Sequence, residues 1–168
     1  MVNEQKQRIV FIGAGNLTTH LATALQQAGY DIAQVYSRTE DSAQRLAGKL
    51  KCGMTNRMEE LCNDADIYIF SVSDSALEEL IDKAPRREEA LYLHTAGSIP
   101  MSVFLGKCQR YGVLYPLQTF SKNREVRFDE IPVFIEGSSP EITATLQKIG
   151  KEISGQVLEA TSEQRRHL

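Results

Sequence analysis

Short continuous apolar runs alternate along this chain with stretches in which apolar residues return every three or four positions. Residues 9–12 form such a run, of the kind expected for a strand covered on both faces. Leu21, Ala24, Leu25 and Ala28 then recur at helical spacing up to Gly29, which predicts an amphipathic helix opening near Leu17. A second strand follows at 32–36. The next helix carries Ala43, Leu46, Ala47 and Leu50 on one face, with Glu40 and Asp41 in its first turn. A short strand is expected at 52–55, and Asn56 with Glu59 makes a capping pair for a helix running to Ala65. The run at 67–72 reads as another buried strand. Ser75 and Glu78 predict a second capping box, and Leu77, Leu80, Ile81 and Ala84 continue that helix face until Pro85. Beyond it come a strand at 90–94, a short helix from Pro100 through Leu105, and strands at 113–115 and 132–135. Ser139-Pro140 opens a helix with proline at its first position; Ile142, Leu146, Ile149 and Ile153 line one face, with Gly150 as its weak point. A last strand is expected at 156–159, and the polar stretch 121–130 reads as an exposed loop. This alternation predicts an α/β fold: a doubly wound, mostly parallel sheet with helices on both faces.

At 168 residues the chain fits one domain with a sizeable core. Hydrophobic residues at 42% and charged residues at 24% place it among ordinary globular proteins rather than disordered or fibrous ones. A net charge of −3 argues against a nucleic-acid surface. The densest basic spot, Arg86-Arg87, is neutralised at once by Glu88-Glu89. No apolar run approaches the length of a membrane span, and the polar start MVNEQKQR lacks a signal-peptide core. A cytoplasmic protein without membrane partners is expected. Cys52, Cys62 and Cys108 share no metal-ligand spacing, and His20, His94 and His167 are scattered, so no metal site is expected.

The chemistry concentrates at strand ends. Between the first strand and helix stands Gly13-Ala14-Gly15-Asn16-Leu17. Strand, Gly-x-Gly and helix in that order bring main-chain N–H groups to a diphosphate at the positive end of a helix. Thr18 occupies the third fingerprint position, where glycine or alanine is usual, and should hold the helix slightly away from the strand. The second strand ends Tyr36-Ser37-Arg38-Thr39, without the acid that an NAD site or an FAD domain places on the ribose. Arg38 offers a fork for a 2′-phosphate, and Ser37 and Thr39 offer hydroxyls, which favours NADP. Glu40 and Asp41 are explained by the helix dipole. Ser71, Val72 and Ser73 end the 67–72 run, and Thr95 and Gly97 follow the next strand; all five are candidate cofactor contacts. His94 is the candidate proton relay, against the simpler alternative that it satisfies a backbone carbonyl. Gln118 and Thr119 are candidate substrate contacts, with Leu117 and Phe120 as packing.

GAGNL, YSR, SVSDSAL, HTAGSIP and YPLQTFSK together resemble the Rossmann-like family that carries a C-terminal domain of unknown function, DUF2520. That family is similar to coenzyme-F420-dependent NADP oxidoreductases and pyrroline-5-carboxylate reductases. The resemblance covers almost the whole chain, and YPLQTFSK and the terminal SEQRRHL are its most specific parts. It implies NADP binding and redox chemistry on a small molecule. It also implies that SEQRRHL leads into an all-helical domain, absent from this sequence, that supplies a homodimer interface and part of the substrate pocket. Many relatives carry histidine where this chain has Tyr115, so proton transfer from that position is in doubt. Residues 1–160 are then expected to be the NADP-binding domain and 161–168 the start of an interdomain helix. Thr161 and Gln164 form a capping pair for that helix, which is too short to stand unsupported; the tail either frays or belongs to a longer protein, and the second is favoured. The expected function is hydride transfer between NADP and an imine, a keto acid or an F420-like substrate. The alternative is a non-catalytic module that senses NAD(P)H.

Overall fold

The computed structural model describes residues 7–117 and 127–168. Gln118, Thr119, Phe120 and the first part of the polar stretch lie outside the described residues. The expected alternation gives eight strands among the described residues: β1 (Arg8–Ile12), β2 (Asp31–Tyr36), β3 (Gly53–Thr55), β4 (Ile67–Phe70), β5 (Leu91–His94), β6 (Arg110–Pro116), β7 (Val133–Gly137) and β8 (Val157–Glu159). The α-helices are α1 (Asn16–Gln27), α2 (Glu40–Leu50), α3 (Asp74–Lys83), α4 (Pro140–Ile153) and α5 (Ser162–Arg166). The strands form one sheet in the order β3-β2-β1-β4-β5-β6-β7-β8. Every neighbouring pair is parallel except β6 and β7, where Pro116 lies opposite Val133 and Gly112 opposite Gly137.

Alternate residues of each strand feed two cores. Ile9, Phe11, Ile67, Ile69 and Leu93 pack with Leu21 and Leu25 of α1, Leu46 and Leu50 of α2, and Ile142 and Leu146 of α4. Val10, Ile12, Tyr68 and Phe70 pack on the other face with Leu77 and Ile81 of α3 and with Phe104. The sheet is therefore wound on both sides, as the periodicity predicts. Among the described residues no helix is long and apolar enough to cross a membrane.

Several local expectations are corrected. The helix expected from Asn56 to Ala65 is a single 3-10 turn, Met58–Glu60. Thr55 Oγ1 takes the Arg57 N–H at 3.0 Å. Gln34, reaching over from β2, donates to the Glu60 carbonyl at 3.0 Å and accepts from the Cys62 N–H at 2.8 Å. Those bonds divert the groups a helix would use. α3 starts behind Ser73, two residues before the expected cap at Ser75, and Ser73 makes no side-chain cap. The segment after Pro100 is a 3-10 turn, Met101–Phe104. At the start of α4 the Ser139 hydroxyl does accept from the Ile142 N–H, at 3.2 Å, with Pro140 in the first turn. Gly150 is a contact rather than a weak point: a Cβ there would stand 2.9 Å from Val157 Cγ1, so glycine lets α4 close on β8.

α5 carries the full capping box expected of Thr161 and Gln164. Five residues do not hold a helix by themselves. What holds this one is Arg165, whose side chain is fully buried and binds Glu136 of β7 at 2.6 Å and the Ile99 carbonyl at 2.7 Å.

Candidate functional site

The strand order reverses between β1 and β4, and doubly wound sheets open a crevice at such a point. The glycine turn after β1 and Ser71 after β4 meet there. Gly13 adopts φ +125°, and a Cβ on it would fall 2.1 Å from the Ser71 carbonyl oxygen. Its N–H donates to the Tyr36 carbonyl at 2.8 Å. Gly13 is therefore fixed by the close passage of three strand ends. Gly15 differs: its φ of −81° and ψ of −164° suit any residue, and a Cβ on it would meet nothing within 4 Å. It caps α1, which has no side-chain cap and no acid in its first turn. The first amides of a helix have no intrahelical partner, so this end of α1 is an uncovered positive pole. Thr18 is buried, with its hydroxyl 3.5 Å from the Ser71 carbonyl. Its extra bulk is taken up between α1 and the end of β4.

A cavity of about 470 Å³ opens on this turn. Gly13, Ala14 and Gly15 line it together with Ser71, Val72 and Ser73 and with Tyr36, Ser37 and Arg38. Ser37 is nearly buried; its N–H donates to the Thr55 carbonyl at 3.1 Å and its hydroxyl accepts from the Thr39 N–H at 3.3 Å. Those bonds set the Ser37–Thr39 bend. Arg38 is exposed and has no ion pair among the described residues, although Glu40 and Asp41 follow it in α2. The lining thus collects eight of the candidate residues. Asn16, Leu17, Thr39, Thr95 and Gly97 are not part of it.

Two candidates make defined contacts within the fold. Gly97 makes room for a ring, since a Cβ there would lie 2.7 Å from Tyr115 Cζ. His94 is fully buried and stacks on Phe104. Its Nδ1 accepts the Ala96 N–H at 3.0 Å, which leaves the ring proton on Nε2, facing the Pro100 carbonyl at 3.4 Å. Burial, and then the Arg165 guanidinium, push its pKa down to about 4. A neutral imidazole with both nitrogens engaged is a staple for the 95–100 turn; the proton relay expected of it has no free nitrogen.

The residues that sequence reasoning missed lie beside that turn. Ser98 Oγ donates to Asp74 Oδ2 at the first residue of α3, at 2.5 Å. Ser162 Oγ accepts the Met101 N–H at 3.1 Å and donates to Glu136 at 2.8 Å. No sequence signal pairs Arg165 with Glu136, 29 residues away.

An NADP molecule fits these features. The open Gly15 leaves room for a diphosphate against the amides of α1, the strand-end acid of an NAD site is missing, and a guanidinium with no ion pair among the described residues lines the same cavity. The model of the family described as NADP oxidoreductase, coenzyme F420-dependent, matches residues 8–95, just over half of the chain. A crystal structure of a Bacteroides fragilis protein described as an NADP oxidoreductase superposes with a TM-score of 0.90 at 51% identity, covering 96% of this chain and 63% of that one. The pyrroline-5-carboxylate reductase of Pseudomonas aeruginosa is 32% identical over 97 residues, which are 55% of this chain and 36% of that enzyme. Prephenate dehydrogenase from A. aeolicus shares the fold, with a TM-score of 0.80 at 14% identity over 98% of this chain. The chain thus spans less than two thirds of the length of these relatives.

Proposed function

The chain belongs to the coenzyme F420-dependent NADP oxidoreductase family, and on that premise we propose that it is the cofactor-binding part of an enzyme that reduces or oxidises a small molecule. When bound, NADP supplies the hydride chemistry. The residues of this chain bind and orient. Ala14, Gly15, Asn16 and Leu17 offer main-chain amides to the diphosphate at the positive end of α1. Arg38 forks onto the 2′-phosphate, with Ser37 and Thr39 fixing the bend that presents it. Ser71, Val72 and Ser73 border the middle of the crevice, and Thr95 and Gly97 lie on the turn beyond it. Likeness to a pyrroline-5-carboxylate reductase favours a cyclic imine as substrate, ahead of a keto acid or a deazaflavin.

The relatives are longer. We place residues 1–160 in the NADP-binding domain and 161–168 at the start of an interdomain helix. A helical domain of the DUF2520 kind would complete the substrate pocket and a homodimer interface, in a cytoplasmic enzyme.

The observation that supports this most is the meeting, in one cavity, of an open glycine cradle and a guanidinium with no ion-pair partner among the described residues. A charge-assisted hydrogen bond of about 1.5–3 kcal/mol corresponds to a preference of about ten- to hundredfold. Calorimetric titration should find NADPH bound that much more tightly than NADH. Equal affinities overturn the reading.

A further inference from the structure

α3 turns a mixed stripe toward the cavity. Its Leu77 and Ile81 are buried in the core, while Ala76, Glu79, Leu80 and Lys83, spaced i, i+3, i+4 and i+7, line the same cavity as Ser37 and Arg38. Lys83 Nζ lies 2.9 Å from Glu79 Oε1. Such an i,i+4 pair is commonplace on the outer face of a helix, where it does nothing specific. Here both residues line the cavity that Arg38 also lines, and Arg38 has no ion pair among the described residues.

We infer that Lys83 is a second cation for the phosphate assigned above to Arg38, and that Glu79 is its competing anion, so that the pair sets the preference for the phosphorylated dinucleotide. The inference rests on the proposed NADP reading and adds a residue to it. Its physical basis is the charge of the cavity lining. Arg38 and Lys83 are positive and Glu79 is negative, which leaves one net positive charge for a phosphate monoester that carries nearly two negative ones at neutral pH. Glu79 first, and more weakly Tyr36 and Glu59, hold Lys83 in its charged form, with a raised pKa. An exposed ion pair is weak and screened by salt, so Lys83 leaves Glu79 readily for a doubly charged partner. Ala76 and Leu80, on the same stripe, give the flat face of a base an apolar seat.

The test compares NADPH and NADH affinities of the purified protein with those of Lys83→Met and Glu79→Gln. Both side chains are exposed, so thermal unfolding of the variants should match the parent. Lys83→Met should weaken NADPH about ten- to hundredfold, the size of one charge-assisted contact, and leave NADH within about twofold. Glu79→Gln should tighten NADPH about two- to fivefold, the size of an exposed ion pair. The salt dependence of NADPH binding should flatten in Lys83→Met. If the parent prefers NADPH and Lys83→Met keeps the full preference, or loses both dinucleotides equally, the inference is wrong while the NADP reading stands. A parent that binds both alike overturns the NADP reading itself.

Discussion

Gly13 and Gly15 are two residues apart and look equivalent in sequence, yet replacing each by alanine should have opposite consequences. At Gly13 the φ of +125° disfavours any L side chain, and the added Cβ would sit 2.1 Å from the Ser71 carbonyl oxygen. Strain in that region costs about 1–3 kcal/mol. The overlap cannot be relieved by a side-chain rotation because the obstacle is backbone, and overpacking of this kind adds about 1–3 kcal/mol more. Gly13→Ala should therefore lose about 2–6 kcal/mol, a large part of the stability of a typical domain, and Tm should fall by about 10 °C. At Gly15 the conformation is ordinary and the space is empty. Gly15→Ala should stay within about 1 kcal/mol of the parent, since the loss of a preferred cap is offset by a stiffer unfolded chain. Its Cβ occupies the room we assign to the diphosphate, and losing one charge-assisted amide contact lowers affinity by about ten- to hundredfold. Differential scanning fluorimetry with and without NADPH reads both effects. A Gly15→Ala protein that binds NADPH as tightly as the parent refutes the cradle; a stable Gly13→Ala protein refutes the geometry of the turn.

Arg165→Met should destabilise the protein by about 3–5 kcal/mol in urea unfolding, because it strands Glu136 with its charge partly buried; adding Glu136→Gln should recover part of the loss, and no recovery would mean that the ion pair is not the cause. His94 gives a pH signature. Its folded pKa, near 4, is below its ordinary 6.5, so the unfolded chain binds the extra proton first and stability from this group is lost as pH falls from about 6.5 to 4, by about 3 kcal/mol in all. Unfolding measured at pH 7 and pH 5 should show about 2 kcal/mol of that decline in the parent and its absence in His94→Asn; an equal decline in both would assign it to other groups.

What sequence reveals here is whatever local pattern decides. The β1–α1 unit, the Ser139-Pro140 start and the Thr161/Gln164 box are each contained within a few residues, and each forms as the pattern requires. The pair Asn56/Glu59 has the same local form and fails, because Gln34 claims the Glu60 carbonyl and the Cys62 N–H from another strand. Within the site, the motif marks where the glycines lie but not which surface each one serves. Gly13 answers to Ser71, Gly15 to open space and Gly97 to the Tyr115 ring. The last could not be read from the sequence, because Tyr115 arrives from a neighbouring strand.

The least legible feature is the one that orders the far side of the crevice. In sequence, Arg165 is one of two adjacent arginines near a charged tail, where a solvated side chain is the natural reading. In the fold it is fully buried, and its Nε has no partner among the described residues. Burying an ion pair rarely adds net stability, so its consequence is better sought in position than in energy. Arg165 holds the Ile99 carbonyl and Ser162 holds the Met101 amide, while Ser98, on the same turn, binds Asp74 at the head of α3. His94 pins that turn from beneath through Ala96 and Pro100. A continuous set of contacts therefore runs from α5 to the first residue of the helix whose stripe lines the cavity. A physical path of that kind is necessary for coupling between two sites and is not by itself proof of it. It does mean that a displacement of α5 bears directly on the end of this turn, since the bonds to the Ile99 carbonyl and the Met101 amide both end on α5.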